Sequence, residues 1–216
     1  MKLSRLHLMA STLICFGITA GAARATNITV LNGDFSLLPT GGLSHSDTTG
    51  TFSSGAGVLD WVAGSGTGEY APDHGTSFTG SNGSNVIAYS NSGMITQTVG
   101  STVVTGDTYT LTVDLGYRLD VAFDGSADLL INGVHYAAIG TTPTRGGFST
   151  YTATYTGLAG DAGKSIKIEL NSSGVQGNYD NVVLTDVAAI PEPSALLYLG
   201  TGALSLGGLV RRRFTK

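Results

Sequence analysis

Tyr109-Thr110-Leu111-Thr112-Val113-Asp114-Leu115 decides the fold class. Successive side chains of an extended strand leave opposite faces. Tyr109, Leu111, Val113 and Leu115 therefore line one face, and Thr110, Thr112 and Asp114 point to water. The same alternation recurs at Thr150–Thr156 and Ser165–Leu170. Asp128–Ile131 and Val134–Ala138 flank Asn132-Gly133, a pair that tolerates the positive φ angles of a type I′ hairpin turn. Ile28–Leu31, Leu59–Val62, Asn85–Tyr89, Met94–Val99 and Tyr179–Val187 read as further strands, about nine in all. Ser36–Gly57 and Gly64–Gly83 are glycine-rich and polar and read as loops. Helical periodicity is nearly absent before Ser194. Many short, half-buried strands predict an all-β fold, an antiparallel β-sandwich.

The two ends of the chain carry a different message. Lys2 and Arg5 precede a largely apolar run, Leu6 to Ala20, and Ala23-Arg24-Ala25 offers a small-x-small cleavage site. That order predicts a signal peptide over residues 1–25 and an exported product. At the other end Pro191-Glu192-Pro193 is followed by 17 uncharged residues, Ser194 to Val210, and then by Arg211-Arg212-Arg213. A helix of that length spans roughly 26 Å, close to the lower limit for a bilayer whose hydrocarbon core is about 30 Å thick. Arginines beside a span stay on the cytoplasmic side, so the preceding chain is expected outside. The predicted organisation is a β-sandwich over 26–188 and a tail over 189–216 with one transmembrane helix, 194–210.

The tail resembles the PEP-CTERM sorting signal of Gram-negative bacteria. Pro191, Glu192, Pro193 and the closing Arg211, Arg212 and Arg213 carry the likeness, with the apolar helix between them. The resemblance implies processing by signal peptidase and by exosortase. It also implies a transient hold in the inner membrane with the domain periplasmic, then release to the cell surface or extracellular matrix. Relatives of this kind accompany exopolysaccharide and biofilm formation.

Composition narrows the partners. The lone cysteine, Cys15, falls in the predicted signal peptide, so the exported domain would have neither a disulfide nor a catalytic thiol. Between Thr26 and Ile190 stand 14 acids and only four bases, Arg118, Arg145, Lys164 and Lys167, a net charge of −10. So acidic a domain repels phosphate backbones, which excludes nucleic acid as a natural partner. The hydrophobic fraction of 41% supplies enough apolar surface for a core despite 32 glycines.

Asn32-Gly33-Asp34-Phe35 near the start and Asp180-Asn181-Val182-Val183-Leu184 near the end, with Trp61 between, resemble the opening and closing strands of galactose-binding-like jelly rolls. Many carbohydrate-binding modules share that fold. The resemblance implies that the two segments lie side by side, and that a structural Ca²⁺ is held by Asn32, Asp34 and Asp180. Ser36 and Asn181 stand where such proteins usually place a glutamate and a second aspartate. It also implies sugar binding. Tyr70 and Tyr117 fall in or beside loops as stacking candidates, and Arg118 and Arg145 as hydrogen-bond donors to acidic sugars. Trp61, flanked by Leu59 and Val62, reads as core. So do Tyr109, Tyr151 and Tyr155, which alternate with polar residues. Asp120, Asp124 and Asp128, spaced by four, read as a solvated acidic loop, with a cation site as the alternative.

Catalytic signals are sparse. Ser44-His45-Ser46-Asp47 holds triad residue types, but triads assemble from separated segments. His45, His74 and His135 stand apart, with no metalloprotease spacing. Gly64-Ser65-Gly66-Thr67-Gly68 opens no helix and is no phosphate cradle. The expectation is a non-enzymatic surface or matrix protein that binds exopolysaccharide. A secreted carbohydrate-active hydrolase and a ligand-free structural matrix protein are the alternatives.

Overall fold

The computed structural model describes residues 23–53, 57–80 and 85–190. The predicted signal peptide before Ala23 and the Pro-Glu-Pro motif, apolar helix and arginine cluster after Ile190 lie outside the described residues. Among the described residues no helix is long and apolar enough to cross a membrane. Ala23–Ala189 forms one compact body.

Thirteen strands make up that body among the described residues. They are β1 (Ala25–Ile28), β2 (His45–Asp47), β3 (Gly50–Phe52), β4 (Val62–Ala63), β5 (Thr67–Pro72), β6 (Ile87–Asn91), β7 (Met94–Thr102), β8 (Thr108–Gly116), β9 (Ser126–Ile131), β10 (Val134–Ala137), β11 (Phe148–Thr156), β12 (Ser165–Asn171) and β13 (Gln176–Val187). Eight of them form one sheet in the order β11-β8-β13-β6-β5-β3-β2, with β1 also on β13, and five form another, β10-β9-β12-β7-β4. Every pairing between them is antiparallel. The fold is an antiparallel β-sandwich.

The opening stretch sits in β8, the strand between β11 and β13. Tyr109, Leu111, Val113 and Leu115 are buried in the inter-sheet core, and Thr110, Thr112 and Asp114 are half-buried on the other face. Leu129 and Ile131 of β9, Ile166, Ile168 and Leu170 of β12, and Tyr179 and Leu184 of β13 meet them there. Trp61, Tyr109 and Tyr155 belong to this core. The Asn132-Gly133 turn joins β9 to β10 with φ of 51° and 80°, the conformation that those two residues were read to supply.

The opening and closing segments do lie side by side. The Val182 amide donates to the Gly33 carbonyl at 2.8 Å, and a Cβ on Gly33 would stand 2.5 Å from the Val182 carbonyl oxygen, so only glycine fits. β13 pairs with β6 through Tyr179 and with β1 from Leu184 onward. The change of neighbour coincides with a bulge between Asp180 and Val183, where Asn181 adopts φ 49°.

Four expectations need correction. The first strand is Ala25–Ile28, three residues earlier than the apolar run suggested. Leu59–Val62 is mostly a turn, closed by Trp61 N–H on the Val58 carbonyl, and its strand is only Val62–Ala63. Ser36–Gly57 contains the β2–β3 hairpin. Gly64–Gly83 contains β5, whose first four residues, Thr67 to Tyr70, are all buried. A strand covered on both faces has no solvent side, so it carries no period-two signal. With β2, β3 and β5 the strands number thirteen among the described residues, against the nine or so read from the sequence.

Candidate functional site

The outer face of the eight-stranded sheet is not bare. Ala88 of β6 points into the inter-sheet core, whereas its neighbours Ile87 and Tyr89 join Tyr70, Phe78, Phe52 and Phe148 in a second apolar cluster. Phe78 stacks on Phe148 at 4.7 Å. Beside this cluster opens a cleft of about 220 Å³, with Phe52, Tyr70 and Tyr89 as its aromatic part. Asp47, Thr49, Asn91, Arg118 and Gln176 complete it with polar groups.

Each aromatic ring is fixed differently. Tyr70 is buried in β5; its hydroxyl is 2.6 Å from both the Thr49 carbonyl and the Ser77 hydroxyl, and its ring meets Tyr89 edge-on. Tyr89 donates its hydroxyl to the Ser53 carbonyl at 2.7 Å. Phe52 is half-exposed, with His45 stacked against it at 5.6 Å. Phe52 is therefore the ring that offers surface to an incoming ligand.

Arg118 is the cleft's charged centre, yet only 6% exposed. Its Nε and Nη2 clasp both carboxylate oxygens of Asp120, its Nη1 donates to Gln176 Oε1 at 2.7 Å, and its Cζ lies 5.2 Å from the centre of the Tyr70 ring. The guanidinium is thus paired on one edge and stacked on a face. Its hydrogen bonds to Asp120 hold that carboxyl below the usual range. The Thr49 hydroxyl and amide do the same for exposed Asp47. Two carboxylates against one guanidinium leave the cleft net negative.

The structure brings Tyr70 and Arg118 together in this cleft and leaves Tyr117 out. Tyr117 is half-buried against Phe123, with the Arg145 guanidinium 5.6 Å from its ring centre. Tyr70 is not in a loop as its glycine-rich surroundings suggested. It belongs to a strand, and Arg118 covers its ring. Phe52, Tyr89 and Gln176 escaped sequence reading. Phe52 sat in a run read as loop, Tyr89 lies at the centre of β6, whose first four residues are all buried and show no alternation, and Gln176 opens β13.

Asn32, Asp34 and Asp180 have separate local duties. The Asn32 amide donates to the Leu37 and Leu59 carbonyls, and its Oδ1 accepts the Leu37 amide. Asp34 is exposed and accepts Ser36 N–H and O–H. Asp180 is fully buried and accepts the Asn181 amide. Asp34 and Asp180 belong to the two segments joined by the Gly33–Val182 bond, whereas the Asn32 side chain turns toward the loop before β4. Asp120, Asp124 and Asp128 do not form one loop cluster. Asp120 holds Arg118, Asp124 accepts the Ser173 and Val175 amides, and Asp128 lies in β9.

Glu69 is the carboxyl that burial perturbs most clearly. It follows Gly68 on β5 and points opposite to Tyr70, away from the cleft. It has no exposed surface, and desolvation pushes its pKa from 4.5 up to about 7 against the Leu59 amide and Asn32, which pull it down.

No curated protein matches this chain. Among solved structures, it is similar to the CBM22-1 xylan-binding domain of Paenibacillus barcinonensis Xyn10C, with 11% identity over 67% of this chain and 99% of that domain, TM-score 0.44. It is also similar to the C-terminal family 22 carbohydrate-binding module of Clostridium thermocellum Xyn10B, with 13% identity over 68% of this chain and 100% of that module, TM-score 0.41. A third likeness is to tailspike protein 4 of Bacteriophage CBA120, with 12% identity over 73% of this chain and 21% of that one, TM-score 0.41. The HpiC1-like family, described as HpiC1 cyclase, matches residues 26–185, and with that match spanning the β-sandwich the chain belongs to the HpiC1-like family.

Proposed function

We propose that the chain is an exported cell-surface or extracellular-matrix protein whose β-sandwich binds a neutral polysaccharide without acting on it. The cleft on the eight-stranded sheet carries this reading. It combines one half-exposed ring, Phe52, with hydrogen-bonding groups from Thr49, Asn91 and Gln176. Apolar ring faces and hydroxyl-rich edges of sugars need that mixture. At about 220 Å³ the cleft is smaller than the sites of roughly 300–1,000 Å³ that enclose drug-sized ligands, so it suits a short stretch of a longer chain. Asp120 already neutralises Arg118, and Asp47 adds a further negative charge, so uronic acids would be repelled.

Phe52→Ala should weaken binding of the body Ala23–Ala189 to its polysaccharide at least tenfold, about 1.4 kcal/mol, while its circular dichroism stays unchanged. A panel of neutral and acidic glycans in affinity electrophoresis checks both points. Binding indifferent to Phe52, or confined to acidic glycans, would refute the assignment.

The tail belongs to the same proposal. Pro191-Glu192-Pro193 would be the sorting element read by exosortase, 194–210 the membrane hold, and Arg211, Arg212 and Arg213 the orientation lock. Intact-mass measurement of the protein from cells and medium should find a product that begins near Thr26 and ends near the Pro-Glu-Pro. A released product that keeps its arginines would contradict it. A structural Ca²⁺ between the opening and closing segments would take its carboxylates from Asp34 and Asp180, whereas the Asn32 amide oxygen accepts the Leu37 amide and its carbonyl accepts Phe35 N–H and the Trp61 indole N–H.

A second reading, an enzyme, is favoured by the family's description as a cyclase. The cleft's own carboxyls argue for binding instead. Asp47 and Asp120 are held low and ionised, unsuited to give up a proton near neutral pH. Glu69, whose pKa would suit such work, faces the other way.

A further inference from the structure

The five-stranded sheet has an outer face too. Ala127, Leu129 and Ile131 of β9 and Ile166, Ile168 and Leu170 of β12 fill the core, so Asp128 and Glu169 between them face outward. Asp128 and Glu169 are direct register partners on the β9–β12 ladder. His135 of β10 is opposite Leu130, one step diagonal from Asp128, and its Nδ1 is 4.0 Å from Asp128 Oδ1. One ligand atom from each of the three lies within 4.8 Å of the others.

Glu169 makes the arrangement unusual. The residue is 6% exposed, and among the described residues its carboxylate has no hydrogen bond and no ion pair. A like charge stands directly across the ladder, a destabilising placement unless a cation lies between. Lys167, two residues earlier on the same face, is half-buried and forms no ion pair among the described residues. The Asp128 side chain is 16% exposed and that of His135 is 53% exposed, so the site opens to solvent on the imidazole side.

We infer that Asp128, His135 and Glu169 bind a first-row divalent transition metal, with Zn²⁺ as its representative. One imidazole nitrogen with two carboxylate oxygens is a zinc-type donor set, whereas Ca²⁺ and Mg²⁺ prefer oxygen alone. Ligands at about 2.0–2.2 Å from a tetrahedral zinc stand about 3.4 Å apart, so the side chains close by about 1 Å on binding. The half-exposed His135 is free to make most of that movement. Three protein ligands leave a fourth position for water on the face opposite the cleft. The site is independent of the polysaccharide reading.

Calorimetric titration of ZnCl₂ into the untagged body Ala23–Ala189, which has its own core, tests the inference in a buffer containing millimolar Ca²⁺. One ion per chain is expected, and Co²⁺ should give the visible absorption of a four-coordinate site. His135→Ala and Glu169→Gln should each weaken Zn²⁺ at least tenfold, and His74→Ala should leave it unchanged. If Glu169→Gln fails to fold, His135→Ala on the solvent side still decides. Absence of saturable binding, wild-type affinity retained in both ligand variants, or displacement of Zn²⁺ by the Ca²⁺ present would each overturn the assignment.

Discussion

Between about pH 4.5 and pH 7 the protein is expected to lose about 3 kcal/mol of folding stability, and Glu69→Gln should abolish most of that loss. Glu69 is fully buried, and desolvation lifts its pKa from 4.5 to about 7. Below 4.5 the carboxyl is protonated in both folded and unfolded chains, and the folded state bears no penalty. As pH rises toward 7 the unfolded chain releases its proton while the folded chain keeps it. The unfolded state therefore binds fewer protons, and stability falls. Above about 7 both states are ionised and the loss is complete, at about 1.4 kcal/mol per tenfold difference in proton affinity. Asp47 and Asp120 act in the opposite sense, because their low folded pKa values stabilise the fold above the ordinary carboxylate range and cease to do so only in stronger acid. The window from pH 4.5 to 7 thus belongs to Glu69. Urea unfolding at a series of pH values checks this. A wild-type profile that is flat or rises across the window, or a Glu69→Gln profile that keeps the slope, would refute it. The variant should be the more stable protein near pH 8, since glutamine still accepts the Leu59 amide without burying a charge.

Leu111→Ala should cost about 3–4 kcal/mol and lower the melting temperature by about 10 °C, while Thr112→Ala should cost less than about 1 kcal/mol. Leu111 has no exposed surface and stands between Ala153 of β11 and Leu184 of β13 in the central part of the core. Its truncation leaves a void that the two flanking strands cannot close without breaking their register. Thr112 is its chain neighbour, but it is half-buried on the opposite face between Thr152 and Val183. The contrast between two adjacent residues tests the facing of the whole strand. Equal effects in thermal or denaturant unfolding would mean that the alternation has another cause.

The sequence was most legible where a strand has one wet and one dry face. β8, β11 and β12 declare themselves by alternation, and the β9–β10 hairpin by the turn chemistry of Asn132-Gly133. The approach of Gly33 to Val182 was legible through resemblance alone, because no local pattern reports a contact across some 150 residues of chain. β5 was hidden for the opposite reason. Thr67-Gly68-Glu69-Tyr70 is buried on both sides, and a charged residue and a glycine there look like loop. Losing β5 misplaced Tyr70 and left Glu69 unremarked. Arg118 was legible as a hydrogen-bond donor to a sugar. Its commitment to Asp120 was not, because a paired and a free guanidinium read alike in sequence.

Alternation, turn residues and the absence of helical periodicity are properties of neighbouring residues. They were enough to determine an antiparallel β-sandwich with the face of β8 that carries Leu111 in its core. The cleft and the metal cluster join residues that are far apart along the chain. Phe52 meets Arg118 and Gln176, and Asp128 meets His135 and Glu169, only because particular strands pair in particular registers. A slip of one residue would turn each of those side chains to the other face. Register is settled by the summed packing of both sheets, so the tertiary structure alone decided which charges are neutralised, which ring remains open and which carboxylate is buried.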